Sequence, residues 1–168
     1  FHAVYWPALL LSAKLDLPDR ICVHGFLTVD GRKISKSLGN TVDPMSCIEG
    51  YGSDAVRLLL LSYPTNTDGD FTEERLSATY NTLLANGVGN LASRVTALAE
   101  RVGHREQVQT AAPLGRPAAD VLSAVVDFRF SDAVELARGY IDGLNRRIDT
   151  EQVWRVADAQ KAERLAAG

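Results

Sequence analysis

Apolar and polar positions in the first sixty residues follow the short alternating elements of an α/β unit. Residues 7–15, Pro-Ala-Leu-Leu-Leu-Ser-Ala-Lys-Leu, carry a mostly apolar helical pattern that stops before Pro18. Ile21 to Leu27 then reads as a short buried strand. Thr28–Lys33 contains the turn signal Asp30-Gly31, and Ile34-Ser35-Lys36-Ser37-Leu38-Gly39-Asn40 is too polar for a core element. An exposed loop is expected there. From Asp43-Pro44 to Ser62 a second helical segment follows, broken around Gly50 and Gly52, with Ala55, Val56, Leu58, Leu59 and Leu60 as its buried face.

Pro64 to Asp70 is dense in turn formers, and the main domain boundary is placed there. Beyond it the pattern is helical. Thr72 is the expected N-cap, with Glu73 and Glu74 in the first turn. An apolar stripe follows at Leu76, Tyr80, Leu83, Leu84, Val88, Leu91, Val95, Leu98 and Val102, ending at Gly103. A linker with Pro113 and Pro117 leads to a second helix using Val121, Leu122, Val125 and Val126. A third starts near Ser131 and aligns Val134, Ala137, Ile141, Leu144 and Ile148. Together they predict a small antiparallel bundle, with an Ala-rich tail from Ala157 that frays.

Composition narrows the class. A chain of 168 residues, 46% hydrophobic, can bury a core. With 18 basic against 21 acidic residues the formal charge is −3, which argues against coating nucleic acid through a broad positive field. No apolar run approaches the roughly 20 residues that span a bilayer, and the opening lacks a signal-peptide pattern, so a cytoplasmic protein without membrane contact is expected. Cys22 and Cys47 form no C-x-x-C pair and have no histidine cluster beside them. Both are read as reduced, buried thiols, with no metal site. A first residue that resembles mid-domain sequence suggests an incomplete polypeptide.

The string richest in chemistry is Lys33-Ile34-Ser35-Lys36-Ser37, whose two cations and two hydroxyls on a loop suit polyanionic phosphate. Alone, such a pentapeptide is more often a solvated turn. Its surroundings carry more: His24 to Asn40 is similar to the K-M-S-K-S signature loop of class I aminoacyl-tRNA synthetases, with Ile34 as the only change in those five positions. The specific pattern resembles methionyl-tRNA synthetase, because Phe1-His2 through Trp6-Pro7-Ala8 precedes the loop and Asp68-Gly69-Asp70-Phe71 follows it. The resemblance extends to about Trp154.

That resemblance implies a mainly α fold. Residues 1–30 would be the C-terminal edge of a class I Rossmann-like α/β catalytic domain, a short strand and loop. Residues 31–66 would hold the signature loop and a connecting helical region, and residues 67–168 an antiparallel α-helical anticodon-binding domain. It implies ATP-dependent activation of methionine to methionyl-adenylate and transfer to tRNA. Lys33 and Lys36 would stabilise charge on the leaving pyrophosphate, with His24, Ser35 and Ser37 completing the ATP contacts. His2 and Trp6 match positions lining the methionine pocket. Asn90 and Arg94 on one helix, and Asn145, Asp149 and Trp154 on another element, match the anticodon reader, where an aromatic ring stacks on an unpaired base. The implied partners are initiator and elongator methionine tRNA, methionine, ATP with Mg2+ as substrate, and an N-terminal half carrying the H-I-G-H motif and any zinc.

The pattern also departs from the family. Val153 stands where proline precedes the tryptophan, Val156-Ala157-Asp158 where a lysine is usual, and Thr65-Asn66-Thr67 replaces an aromatic approach to Asp68. Two alternatives stand beside the ligase: a synthetase-derived paralogue that activates an amino acid for a non-tRNA acceptor, motivated by the altered surroundings of Trp154, and an isolated, non-catalytic tRNA-binding helical module, which would suit a chain beginning at Phe1.

Overall fold

The computed structural model describes residues 1–102, 116–152 and 154–155. Helix α1 spans Tyr5–Ser12, strands β1 and β2 span Leu27–Val29 and Arg32–Lys33, and one 3-10 turn covers Lys36–Leu38. Helices α2 (Pro44–Tyr51) and α3 (Ser53–Ser62) follow, then strand β3 (Gly69–Phe71) and helix α4 (Glu73–Thr79). A π-helical stretch, Tyr80–Gly89, joins α4 to α5 (Asn90–Val102); α6 (Arg116–Val126) and α7 (Phe130–Glu151) complete the described chain.

The sheet has the order β2-β1-β3. β1 and β2 are antiparallel, with Thr28 opposite Lys33 and Val29 opposite Arg32. Asp30 (φ 51°) and Gly31 (φ 69°) form the two-residue turn between them, the left-handed pair that suits the twist of a hairpin. β3 runs parallel to β1, with Thr28 opposite Asp70. This third strand takes in Gly69 and Asp70, the end of the stretch expected to be turn.

The core packs α3 against the sheet and α4. Ala55, Val56, Leu59, Phe71 and Leu76 are buried, with Leu27, Val29, Ile48 and Leu84 packed around them. Leu58 is half-buried, and Leu60, expected inside, is 43% exposed because it falls off the face set by Ala55, Val56 and Leu59. The break between α2 and α3 falls at Gly52 (φ 81°), as its sequence signal predicts. Gly50 stays within α2. Thr72 caps α4 as expected, accepting a hydrogen bond from the Arg75 amide.

The segment expected to be a buried strand is not one. From Ile21 to Phe26 there is no regular structure, and Val23 and Phe26 are 79% and 75% exposed. Its C-terminal end docks irregularly: the Gly25 amide reaches the Thr65 carbonyl at 2.9 Å, and the Phe26 amide donates to the Asp68 carboxylate at 2.8 Å, a side chain standing where a ladder carbonyl would be. Gly25 is required there, since a Cβ would sit 2.0 Å from the Thr67 carbonyl oxygen. Cys22, expected buried, is exposed on this uncovered segment, and Cys47 is half-buried. Helix α1 starts and stops earlier than its pattern suggests and buries no residue.

The long first helix of the C-terminal part is interrupted by its π-helical stretch. The Asn90 amide closes that stretch by donating to Ala85, five residues back. The wider turn shifts the stripe out of phase, leaving Tyr80, Val88 and Val95 at 40%, 45% and 49% exposed. In α6 the buried residue is Ala124, whereas Leu122, Val125 and Val126 are exposed, because α6 turns its small side chain toward α7. Pro117, expected in the linker, is the second residue of α6, a position where its missing amide costs no helical bond. On α7, Val134, Ala137, Ile141, Leu144 and Ile148 are half-buried as their spacing predicts. Gly103, Pro113 and the tail from Ala157 lie outside the described residues. None of the described helices is long and apolar enough to cross a membrane.

Candidate functional site

The hairpin and its following turn present the two lysines. Lys33 ends β2, Lys36 opens the 3-10 turn, and both are exposed. Neither makes an ion pair or a side-chain hydrogen bond among the described residues, so both ammonium groups are available to an anion. Asn40 clasps the loop between them. Its amide nitrogen donates to the Lys33 carbonyl at 3.1 Å and its oxygen accepts from the Ser35 amide at 2.9 Å. The hydroxyls of Ser35 and Ser37 share a hydrogen bond of 2.8 Å. Gly39 (φ 67°) terminates the turn, with its amide on the Lys36 carbonyl at 3.3 Å.

Both ends of the loop are fixed by carboxylates. At the exit, Asp43 caps α2 by accepting from the Met45 amide at 3.0 Å and the Ser46 hydroxyl at 3.0 Å. Those donors, the Met45 amide foremost, hold its carboxyl below the ordinary range. At the entrance, Asp70 accepts from the Gly31 amide and the Thr28 hydroxyl, each at 2.7 Å. The Gly31 amide is the main cause of its likewise lowered pKa.

The remaining sequence-nominated groups of the N-terminal part stand apart from the lysines. His24 is exposed, donates from Nδ1 to the Gly25 carbonyl at 2.7 Å, and lines a mostly apolar cleft of about 570 Å³ with Tyr63, Phe128 and Phe130. Neither lysine lines that cleft. His2 precedes α1 and Trp6 lies within it; His2 is exposed and Trp6 is 42% exposed. No bond links either to the loop.

In the helical part the structure brings three of five nominated residues together. Arg94 on α5 bonds the Asn145 side-chain oxygen at 3.5 Å and pairs with the Asp149 carboxylate, joining α5 to α7. Asn90 is exposed and takes no part. Trp154 is half-buried and lies beyond the left-handed cap at Gln152 that ends α7, so it departs from the helix stripe. Val153 is outside the described residues. Among the described residues no group of three or more His, Cys, Asp and Glu side chains could hold a metal.

Sequence reasoning missed Asn40, Asp70 and Thr28 as fixing groups. For Asn40 a local signal exists, an amide side chain five residues after Ser35. For Asp70 none does, because its partners Gly31 and Thr28 are 39 and 42 residues away.

This clasped lysine loop lies within residues 1–96, which match the family model described as tRNA synthetases class I (M), more than half of the chain. The chain belongs to that family. Among its similar proteins, a methionine–tRNA ligase of Nostoc sp. is 59% identical over 95 residues, covering 56% of this chain and 18% of the relative. One from Synechocystis sp. is 39% identical over 168 residues, covering 93% of this chain and 32% of the relative. Among solved structures, Mycobacterium tuberculosis methionyl-tRNA synthetase bound by methionyl-adenylate superposes with a TM-score of 0.74 at 33% identity, over 96% of this chain and 34% of that one. The chain thus spans about a third or less of the length of these relatives. It has the class I synthetase fold, mostly helical with a small sheet.

Proposed function

We propose that this chain is the C-terminal portion of a cytoplasmic methionine–tRNA ligase, with residues 1–66 completing an ATP-binding half and residues 67–168 forming the anticodon-binding bundle. The observation that carries the proposal is the loop of Lys33 to Asn40, clasped at its base while neither ammonium group has a partner among the described residues. In adenylate formation, a methionine carboxylate oxygen attacks the α-phosphorus of ATP, the bond to the bridging oxygen breaks, and pyrophosphate leaves with its negative charge. Lys33 and Lys36 would meet that charge as it develops, which is electrostatic stabilisation needing no side-chain nucleophile. Mg2+ accompanies ATP as part of the substrate. A tRNA 3′-terminal ribose hydroxyl then takes the methionyl group and AMP departs. His2, Trp6 and His24 would line the methionine and adenylate positions, and Ser35 and Ser37 would donate to phosphate. Asn90, Arg94, Asn145, Asp149 and Trp154 would read the anticodon of initiator and elongator methionine tRNA by edge contacts and stacking.

The test is methionine-dependent exchange of pyrophosphate into ATP by the full-length ligase, followed by charging of tRNA. Lys36→Ala is expected to slow exchange by about a hundredfold while the KM for methionine changes little, because the cation acts on charge that develops in the transition state. The 168-residue chain by itself is expected to show no exchange. Equal exchange rates for Lys36→Ala and parent would overturn the role given to the loop.

A further inference from the structure

Asp70 lies on strand β3, some thirty residues beyond the lysine loop, yet one of its carboxylate oxygens organises the turn between β1 and β2. That oxygen, Oδ1, accepts from the Gly31 amide and the Thr28 hydroxyl, each at 2.7 Å. The Thr28 hydroxyl also lies 3.3 Å from the Gly69 carbonyl, so it bridges two points of β3. The backbone carbonyl of Asp70 accepts from the Tyr63 hydroxyl at 2.6 Å, anchoring the strand to the end of α3. Two residues after Asp70, Thr72 caps α4. One residue thus joins the hairpin that delivers Lys33 to the strand from which the helical part begins.

We propose that Asp70 is a positioning residue for the lysine loop, setting the angle at which the hairpin presents Lys33 and Lys36; this rests on the adenylate-forming function proposed above. The hairpin has only two paired positions per strand, too few to hold an orientation unaided. Among the described residues its far edge, β2, pairs with β1 alone. The carboxylate supplies the constraint at the tip, where the chain is a free two-residue turn. Displacement of a charge-bearing group by about 1 Å is worth on the order of a hundredfold in rate, so loosening this tip should appear in catalysis.

The experiment compares Asp70→Ala, Asp70→Asn, Thr28→Val and Lys36→Ala in the full-length ligase, reading kcat and KM for pyrophosphate exchange together with Tm. Asp70→Ala is expected to lower kcat roughly ten- to hundredfold with KM for methionine near the parent value. Asp70→Asn keeps a carbonyl oxygen able to accept both bonds, and is expected to recover to within a few fold of the parent. Thr28→Val removes one donor and leaves the Gly31 bond, so a smaller fall in kcat with unchanged Tm is expected even if Asp70→Ala folds poorly. Parental kcat in Asp70→Ala or in Thr28→Val, with Lys36→Ala still impaired, would overturn the positioning role alone. Equal damage in Asp70→Asn and Asp70→Ala would do the same. No methionine-dependent exchange in the parent would overturn the ligase function and this role with it.

Discussion

Trp154 and Asp43 show how differently two side chains at element ends can serve a molecule. Trp154 follows a left-handed cap, is half-buried, and has no ring partner among the described residues. A base-stacking ring is worth about 1 to 3 kcal/mol, so Trp154→Ala is expected to weaken tRNA charging roughly ten- to hundredfold while pyrophosphate exchange and Tm hold. Intact charging would show that Trp154 reads no base, whereas pyrophosphate exchange without any charging by the parent would favour the synthetase-derived paralogue with a non-tRNA acceptor. Asp43 acts within the fold. Its carboxyl is more acidic folded than unfolded, so the stability it contributes is present above the unfolded value, about 3.9 for aspartate, and is lost as pH falls through the lower folded value. Asp43→Asn keeps a capping acceptor and is expected to melt near the parent at neutral pH, with a shallower loss of Tm below about pH 4. An acid limb as steep as the parent's would exclude Asp43 as a source of that dependence.

At the scale of elements, a few buried apolar side chains of α3, α4 and β3 hold the helices to the sheet. Leu76 is 1% exposed where α4 meets α3 and the sheet. Its replacement by alanine is expected to cost about 2 to 5 kcal/mol in denaturant unfolding. Leu122, as apolar but 61% exposed on α6, is expected to tolerate the same change within about 0.5 kcal/mol. The amphipathic spacing could not separate these two leucines, because it marks an apolar face without saying whether anything covers it. Elements with local signals were readable: the Asp30-Gly31 turn, the Thr72 cap, the Gly52 break and the α7 stripe. Strand β3 was not, since Gly69 and Asp70 are disfavoured in strands, Phe71 alone gives no alternation, and the strand exists through its parallel partner β1.

Across the whole molecule, the part of the site readable in sequence was the lysine loop, which is contiguous and rich in unusual chemistry. The parts that escaped are long-range: Asp70 reaching the hairpin tip, Asp68 holding Phe26, and the bonds that Arg94 makes to Asn145 and Asp149, three residues the resemblance had grouped without joining them. Such bonds join positions 39 to 55 residues apart and leave no periodicity to find. The apolar surface of Phe1, Leu9, Val23 and Phe26 was likewise read as buried or left unassigned, and it has no covering element among the described residues. The π-helical stretch acts as a gear between the two ends of the molecule. Its hydrogen bonds reach five residues back where an α-helix reaches four, so it sets the rotation at which α5 leaves it and aims Arg94 at α7. Gly87 and Gly89 allow the carbonyls of Thr82 and Leu84 to come as close as 3.3 and 3.1 Å to where a Cβ would stand. Deleting a single residue between Tyr80 and Gly89 should let the segment relax to an ordinary α-helix and swing the Arg94 face away from Asp149. Under the proposed function, charging of tRNA by the full-length ligase is then expected to fall while pyrophosphate exchange persists.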